Sequence, residues 1–255
     1  MAAPTFNVPT SEAQRRAVPE SPILEALDLH TFYGLSHILH GISVAVRPGE
    51  TIGLMGRNGM GKTTLVRTLV GHVRPRRGRV MVNGKEMTDA PPHLIARAGI
   101  AYVPEGRGIF PNLSVRENLL MAARPGLDGT STWTYQRVLA SFPRLAERLN
   151  QGGQQLSSGE QQMLTVGRAL LTNPRLLILD EATEGLAPLI ADEIWRIVRE
   201  IHHTGIATII VDKNFATVSA ITSRNVILVK GQVVLEGASQ ELQKHPDLLQ
   251  RYLGI

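Results

Sequence analysis

The sequence contains a glycine-rich run that few folds accommodate, Gly56-Arg57-Asn58-Gly59-Met60-Gly61-Lys62-Thr63-Thr64. The short apolar run 51–55 precedes it, and apolar residues at helical spacing follow it as far as Gly71. Strand, glycine loop and helix, in this order, are the context that a phosphate-binding loop of the form GxxxxGK[ST] requires. The sequence therefore predicts a nucleotide site within an α/β fold.

The residue types of this loop suit the chemistry of a nucleoside triphosphate. Gly56, Gly59 and Gly61 have no Cβ, so they can adopt unusual dihedral angles and turn backbone N–H groups inward. The following helix points an N-terminus worth about half a positive charge at the phosphates, and Lys62 adds a full charge. The Thr63 hydroxyl can ligate Mg²⁺. We therefore expect residues 56–64 to bind the triphosphate together with a magnesium ion.

Length and composition exclude several classes of protein. The 255 residues allow one large domain or two modest ones. The absence of cysteine excludes disulfides and thiolate metal sites, and no apolar run approaches the roughly 18–20 residues of a membrane span. The formal net charge is +5, but the sequence has no run of lysines and few aromatic residues to stack on bases. We therefore expect no nucleic-acid partner.

The N-terminal segment differs in composition from the rest of the chain. Residues 1–21 are rich in alanine, proline and polar residues, and no apolar segment follows Arg15 and Arg16. This composition predicts a flexible tail and not a signal peptide. Alternation in Ile38–Val46 predicts a strand, and Asn83-Gly84 predicts a hairpin turn. We expect the folded domain to occupy residues 22–255.

The middle of the chain has a helical pattern. Residues 113–172 are predicted to be mostly helical, with breaks at Pro125-Gly126 and Gly152-Gly153. They predict a helical subdomain, at about 106–172, that is inserted into the α/β core. Apolar residues at i, i+3, i+4 and i+7 between positions 194 and 201 predict a further helix.

A second nucleotide signal is the apolar strand Leu176–Leu179, which ends in Asp180 and Glu181. Carboxylates at the C-terminal end of a core strand lie where α/β sheets bind their ligands. Asp180 can hold Mg²⁺ through water, and Glu181 can orient or deprotonate an attacking water. An Asp-Glu pair alone is a weak signal, but in a chain with a phosphate loop it predicts hydrolysis of a triphosphate.

The third signal is Leu156-Ser157-Ser158-Gly159-Glu160, which precedes the acidic strand. This run resembles the signature of the ATP-binding subunits of ABC transporters. Together with the other two motifs, it extends the resemblance to that family from about Ile23 to the C-terminus. The resemblance implies an α/β P-loop NTPase core with an antiparallel β subdomain and an inserted helical subdomain. It also implies ATP and Mg²⁺ as cofactors and the hydrolysis of ATP to ADP and phosphate.

A narrower resemblance is carried by Tyr102-Val103-Pro104-Glu105-Gly106-Arg107 and Gly185-Leu186-Ala187-Pro188. These runs are similar to the shorter of the two ATPases in branched-chain amino acid importers. Urea and short-chain amide importers have closely similar subunits, so the solute stays open between these classes. The resemblance implies a peripheral subunit at the cytoplasmic face of the inner membrane.

The implied partners are two membrane permease subunits, a second ABC ATPase in a homo- or heterodimer and, indirectly, a periplasmic solute-binding protein. The alternative from another class is a soluble ABC ATPase that acts on nucleic acid, but such proteins usually carry two cassettes or a long coiled coil. A P-loop kinase does not explain Leu156–Glu160. An exporter ATPase is a further alternative, and Pro104–Arg107 favours import over it.

The resemblance also implies roles for single residues. Tyr33 would stack on adenine, and the alternative is a tyrosine of the core. Glu105 takes the place of the family's glutamine, where a carboxylate can bind Mg²⁺ or water. Ser157 and Gly159 would contact the γ-phosphate held by the second ATPase. The implied catalytic residues are Glu181, Glu105 and Lys213, and the implied metal ligands are Thr63, Asp180 and Glu105.

Two positions depart from the family's pattern. Ser158 replaces the first glycine of the signature, and it costs about 1–2 kcal/mol if that position needs left-handed dihedral angles but little otherwise. Lys213 stands after a strand where related ATPases have histidine or glutamine. A lysine keeps a charge and a phosphate contact but cannot accept a hydrogen bond. We expect Lys213 to sense the γ-phosphate, and the alternative is a solvated surface lysine.

Overall fold

A computed structural model describes residues 6–7 and 21–254, which divide into two compact units. The first unit contains the residues up to Ala98 together with those from Ala207, and the second is Gly99–Ile206. The predicted flexible tail, residues 1–21, lies almost entirely outside the described residues. Of this segment, the structure describes only Phe6–Asn7 and Ser21.

The elements come in short groups of strands and groups of helices along the chain. The strands of the described residues are β1 (Phe6–Asn7), β2 (Leu24–Tyr33), β3 (Ser36–Val46), β4 (Thr51–Met55), β5 (Arg77–Val82), β6 (Lys85–Glu86), β7 (Ile100–Val103), β8 (Leu176–Asp180), β9 (Ala207–Val211), β10 (Arg224–Val229) and β11 (Gln232–Ala238). The helices are α1 (Lys62–Leu69), α2 (Pro92–Arg97), α3 (Val115–Leu120), α4 (Tyr135–Ser141), α5 (Pro143–Ala146), α6 (Ser158–Leu170), α7 (Pro188–His203), α8 (Phe215–Ser219), α9 (Ser239–Leu242) and α10 (Pro246–Tyr252).

The first unit contains a parallel sheet whose central strand leads into the glycine loop. Strand β4 pairs in parallel with β9 on one side and with β10 on the other, and β11 continues the sheet antiparallel to β10. Every residue of β4 and β9 is buried. Continuous burial is expected for parallel strands that are covered on both faces, and it explains their unbroken apolar sequences.

The same unit contains an antiparallel sheet in the order β3-β2-β5-β6. Strands β5 and β6 are joined by Asn83 and Gly84, whose φ angles are 50° and 74°. Two consecutive residues with positive φ form a type I′ turn, whose twist matches that of the flanking strands. The predicted hairpin is therefore confirmed, as is the antiparallel β subdomain that the family resemblance implies.

The second unit contains the parallel pair β7–β8 and the helices from α3 to α7. Both predicted breaks in the helical stretch 113–172 are present, but the one at Pro125-Gly126 is longer than expected, since residues 121–134 are all turns and irregular chain. Pro125 has no N–H to donate, and Gly129 has a φ of 78°. The Asp128 carboxylate accepts from the Thr130 N–H at 3.0 Å and so closes a local turn that competes with a helix.

The two units together give the α/β fold class that the sequence predicts. Buried apolar residues of β4 and β9 form the core of the first unit, and those of β8, α6 and α7 form the core of the second. Among residues 6–7 and 21–254, no helix has both the length and the apolar character needed to cross a membrane.

Candidate functional site

The glycine loop lies between β4 and α1 and has the backbone of a phosphate cradle. Gly56, Gly59 and Gly61 have φ angles of 149°, 77° and 102°. The ammonium group of Lys62, whose residue is 4% exposed, donates to the carbonyls of Gly56 at 2.9 Å and Arg57 at 3.3 Å. The cation is thus held inside the curve of the loop, where a phosphate chain requires it.

The loop is held in place by the turn between β10 and β11. Gly231 N–H donates to the Met60 carbonyl at 3.0 Å, and Lys230 N–H donates to the Met60 sulfur at 3.3 Å. A Cβ on Gly56 would lie 2.4 Å from the Leu228 carbonyl oxygen, so this position has room only for glycine. The sequence did not indicate that residues 228–231 support the loop, because the two segments are far apart in the chain.

The N-terminus of α1 is suited to an anionic ligand. Within the described residues, its N-cap Gly61 makes no side-chain capping bond and its first turn contains no acid. The backbone N–H groups of a first turn need acceptors from outside the helix. The oxygens of a triphosphate can supply them, so the residues here fit ATP. Thr63 and Thr64 occupy this turn, and the Thr63 hydroxyl has the chemistry of a magnesium ligand.

Lys213 lies at the sheet edge from which the glycine loop emerges. Strands β4 and β9 are parallel neighbours with Leu54 opposite Val211, so Gly56 and Lys213 both follow the C-terminal ends of these strands. Lys213 is exposed and precedes α8, whose N-cap Asn214 accepts from the Thr217 N–H at 3.1 Å. The predicted role of Lys213 as a γ-phosphate sensor remains a prediction.

Tyr33 is the last residue of β2 and is 44% exposed. Gly34 follows it with a φ of 59°, in the turn that leads into β3. The guanidinium of Arg76, the residue just before β5, donates to the Gly34 carbonyl and so holds this turn. The half-exposed ring has space for a stacked base, and the adenine contact stays a prediction.

The acidic motif lies at the end of the parallel pair β7–β8 in the second unit. Asp180 ends β8 with 0% exposure, and its Oδ2 accepts from the Tyr102 hydroxyl at 3.1 Å. Val103 lies opposite Leu179, so Glu105 and Glu181 leave the same edge of the sheet. Carboxylate oxygens of Glu105, Glu181 and Glu184 lie within 4.8 Å of one another. This group of oxygens is suited to a hard cation or to positioning water.

The sequence predicted only some of the residues in this group of carboxylates. Glu105 and Glu181 were predicted as site residues, whereas the proximity of Glu184 and the contact from Tyr102 depend on the pairing of β7 with β8. Glu181 itself has a φ of 50°. A left-handed conformation at a residue with a side chain costs about 1–3 kcal/mol, and such strain often occurs at functional sites.

The signature run begins helix α6, with Leu156 buried just ahead of it. Ser157 is the N-cap with a φ of −63°, and Ser158 is the first helical residue, outside the left-handed region. Ser158 therefore costs little, which decides between the two alternatives that the sequence left open. A Cβ on Gly159 would lie 2.4 Å from Cγ2 of Ile190, so the approach of α7 requires glycine at this position.

A capping box closes the start of α6. Glu160 Oε2 accepts from the Ser157 N–H at 2.8 Å, and Ser157 Oγ accepts from the Glu160 N–H at 3.4 Å. Arg148 Nε lies 2.6 Å from Glu160 Oε1. Burial alone would raise the pKa of Glu160, but the bonds from Ser157 and the Arg148 charge outweigh it and hold that pKa below its ordinary value.

The model of the ABC transporter family matches residues 39–184. The high-affinity branched-chain amino acid transport ATP-binding protein BraG of Pseudomonas aeruginosa is 40% identical over 228 residues, covering 88% of this chain and 96% of BraG. The lipopolysaccharide export system ATP-binding protein LptB of Acidithiobacillus ferridurans is 34% identical over 235 residues, covering 92% of this chain and 98% of LptB.

A solved structure described as the ATP-binding subunit of an ABC transporter is similar over the same span. It is 30% identical, the match covers 91% of this chain and 96% of that one, and the TM-score is 0.77. Both the sequence and the backbone trace are therefore shared along nearly the whole length.

Proposed function

The chain belongs to the ABC transporter family and is an ATP-hydrolysing subunit, and we propose that it energises the import of branched-chain amino acids. The observation that carries the solute class is the 40% identity to a branched-chain amino acid transport ATP-binding protein along 96% of that protein. The Tyr102–Arg107 and Gly185–Pro188 runs support the same class.

In this proposal, the phosphates of ATP lie on residues 56–64. Lys62 and the amides of the first turn of α1 balance the charge of the β- and γ-phosphates, and Tyr33 stacks on the adenine. Thr63 and Asp180, with Glu105, would hold Mg²⁺, which neutralises charge on the phosphates when bound. Their hydroxyl and carboxylate oxygens are the ligand types that this ion prefers.

Glu181 is the proposed general base. It accepts a proton from the water that attacks the γ-phosphorus, the bond to the β-γ bridging oxygen breaks, and ADP and phosphate are released. General base catalysis of this kind contributes roughly 10²- to 10⁴-fold in rate. Lys213 would donate a hydrogen bond to the γ-phosphate, which its position at the edge beyond β9 supports.

The proposed assembly contains a second ABC ATPase and two permeases, with a periplasmic binding protein delivering the solute. Leu156, Ser157, Ser158, Gly159 and Glu160 would face the ATP bound by the second ATPase. The segment Glu105–Leu119 would lie against a permease. Its Phe110 is 43% exposed, and the Arg168 guanidinium stacks 4.5 Å from the ring centroid. The chain would then be a peripheral subunit at the cytoplasmic face of the membrane.

A second candidate is lipopolysaccharide export, because LptB is 34% identical over 98% of its length. Urea and short-chain amide importers remain the nearest alternatives within import. These three candidates share the ATPase chemistry and differ only in the permease and the solute, so they can be separated by the partners of this chain.

The deciding experiment purifies the tagged chain from gently solubilised membranes of its own host and identifies its partners by mass spectrometry. The complex is then reconstituted with its binding protein, and ATP hydrolysis is measured with leucine, urea, acetamide and lipopolysaccharide. The Glu181→Gln complex is the control for contaminating ATPases. We expect two permeases, a second ATPase and stimulation by leucine alone. Stimulation by another solute, or recovery with lipopolysaccharide export components, would refute the import of branched-chain amino acids.

A further inference from the structure

One face of the antiparallel sheet carries a cluster of imidazole rings that the ATPase chemistry does not use. Strand pairing places His30 opposite His40 and Phe32 opposite His37, with a register shift between Thr31 and Phe32. This irregularity brings His37 onto the face of His30 and His40. The three rings are half-buried. The ring centroid of His37 lies 5.3 Å from that of His30 and 3.9 Å from that of His40.

Asp28 fixes the proton on His30. Its Oδ1 lies 3.2 Å from His30 Nε2, and an ionised carboxylate can only accept, so Nε2 carries the ring proton. With a single ring proton on Nε2, the Nδ1 atom presents a lone pair. That Nδ1 lies 3.2 Å from Nε2 of His37. Asp28 reaches His30 because it sits at a break in the β2 register with a φ of 50°.

The second imidazole is held in a fixed orientation. Phe32 stacks on His37 with centroids 4.0 Å apart and an angle of 5° between the planes, and Arg76 lies 4.2 Å above the Phe32 ring. Burial and then the neighbouring His40 lower the pKa of His37, as do His30 and Arg76, against a hydrogen bond to the Leu39 backbone that raises it. The lowered pKa favours the neutral ring, which is the form that binds metals.

The distance between the two facing nitrogens suits a shared ion. Zinc binds imidazole nitrogen at about 2.0–2.1 Å, so two nitrogens 3.2 Å apart subtend an angle of about 100° at the ion, close to tetrahedral. A histidine that ligates zinc commonly donates its other N–H to a carboxylate, as His30 does to Asp28. Arg77, whose Nη2 lies 3.7 Å from Asp28 Oδ2, balances the carboxylate charge.

We propose that His30 Nδ1 and His37 Nε2 form a zinc site, with Asp28 as the outer acceptor that orients His30. Each ring keeps one proton on the nitrogen that faces away from the ion, Nε2 of His30 and Nδ1 of His37, so both facing nitrogens offer lone pairs. Water fills the remaining positions of the ion. The site does not depend on the proposed transport function. It lies close to the nucleotide loop in the fold, since His40 N–H donates to the Gly231 carbonyl at 2.8 Å and Gly231 N–H donates to the Met60 carbonyl at 3.0 Å.

The test uses the full-length, tag-free and nucleotide-free protein. Isothermal titration with Zn²⁺ measures stoichiometry and affinity, and the absorption of bound Co²⁺ reports tetrahedral coordination. We expect one ion per chain, loss of binding in His37→Ala, and a 10- to 100-fold weaker affinity in Asp28→Asn. The control is the double variant His202→Ala/His203→Ala, which removes another neighbouring pair of rings, 5.7 Å apart, and should bind zinc as the wild type does.

A second measurement covers the case in which His37→Ala does not fold. Imidazole nitrogen shifts of the ¹⁵N-labelled wild-type protein, followed during zinc titration, should move at one nitrogen of His30 and one of His37. Absence of stoichiometric binding, binding that survives His37→Ala, or binding that is lost in the His202/His203 double variant would each overturn the proposal.

Discussion

The N-termini of α1 and α6 differ in how their backbone N–H groups find acceptors. Helix α1 begins after a left-handed glycine, and within the described residues no side chain caps it. Helix α6 begins with a capping box in which Ser157 and Glu160 satisfy each other, and Arg148 neutralises the glutamate. Both helix starts belong to motifs that the family associates with phosphates.

This difference suggests how each helix start would meet a nucleotide. The first turn of α1 requires outside acceptors, which the phosphates of a bound ATP would supply. The first turn of α6 is already complete, and its longer bond, from the Glu160 N–H to Ser157 Oγ at 3.4 Å, is the weaker half of the box. Ser157 can therefore turn its hydroxyl toward a phosphate while the 2.8 Å bond to Glu160 keeps the helix closed.

The largest effect should come from removing the charge of Lys62 at the N-terminus of α1. We expect Lys62→Ala to lower ATP hydrolysis by roughly 100- to 1,000-fold, because a preorganised donor to the phosphates is lost. Steady-state hydrolysis and the binding of a fluorescent ATP analogue measure it. Lys85→Ala, at an exposed position in β6, is the matched control and should keep full activity. Equal losses in both variants would contradict a specific role for Lys62.

Removing the capping box at the start of α6 should lower the stability of the fold. We expect Glu160→Ala to lower the free energy of unfolding by about 2–3 kcal/mol, since it removes a helix cap and leaves the Arg148 charge half-buried without its carboxylate. Denaturant unfolding followed by circular dichroism measures this change. An unfolding free energy within 0.5 kcal/mol of the wild type, about the size of an ordinary surface substitution, would show that the box contributes little.

The packing of α6 against α7 predicts the next effect. Gly159→Ala should cost about 1–3 kcal/mol, because the new methyl group would overlap Ile190 and force the helices apart. Gly106→Ala is the control, since a Cβ there meets no atom within 4 Å and the residue has no positive φ. Thermal unfolding of the two variants should separate them clearly. Similar melting temperatures would mean that Ile190 moves aside without cost.

The contribution of Glu160 should also depend on pH. Its pKa is lower in the folded protein than its ordinary value of 4.5, so the stabilisation is complete above that value and is lost as the pH falls below it. Glu160→Gln keeps the capping geometry but not the charge. The difference in unfolding free energy between wild type and Glu160→Gln should therefore shrink on acidification from pH 7. A difference that stays constant down to pH 3 would contradict this assignment.

The smallest effect should come from restoring glycine at the first helical position of α6. Ser158→Gly should change the unfolding free energy by less than about 0.5 kcal/mol and leave hydrolysis unchanged, because Ser158 already has ordinary dihedral angles. Hydrolysis by the assembled complex is the measurement. A marked gain in turnover would show that this serine, and not the backbone, limits the signature.

The sequence predicts those parts of the site whose chemistry is local. The glycine loop, Lys62 and Thr63 are contiguous, and a strand before them and a helix after them follow from short-range patterns. The Asn83-Gly84 turn is equally local. The break at Pro125-Gly126 was predicted, but its extent over residues 121–134 was not, because the Asp-Thr turn that lengthens it was not recognised in the sequence.

Contacts between segments that are distant in the chain could not be predicted from the sequence. Tyr102 reaches Asp180 across 78 residues, and Glu105 meets Glu181 only because β7 pairs with β8 in one register. The cluster of His30 and His37 depends on a shift in strand register that no spacing rule gives. Parallel pairing and register follow from the burial of whole strand faces, which a single sequence does not locate.

The amino-acid sequence predicted the family, the ATPase chemistry and the residues that we propose to bind phosphate, because these depend on residue types at fixed short spacings. The folded structure was needed to show that Ser158 is unstrained, why a side chain at Gly159 would meet Ile190, and what holds the glycine loop. Each of these answers lies in a dihedral angle or in the approach of a remote element, Ile190 or the turn at Lys230–Gly231. Close packing makes such contacts specific, and they arise only once the chain has folded.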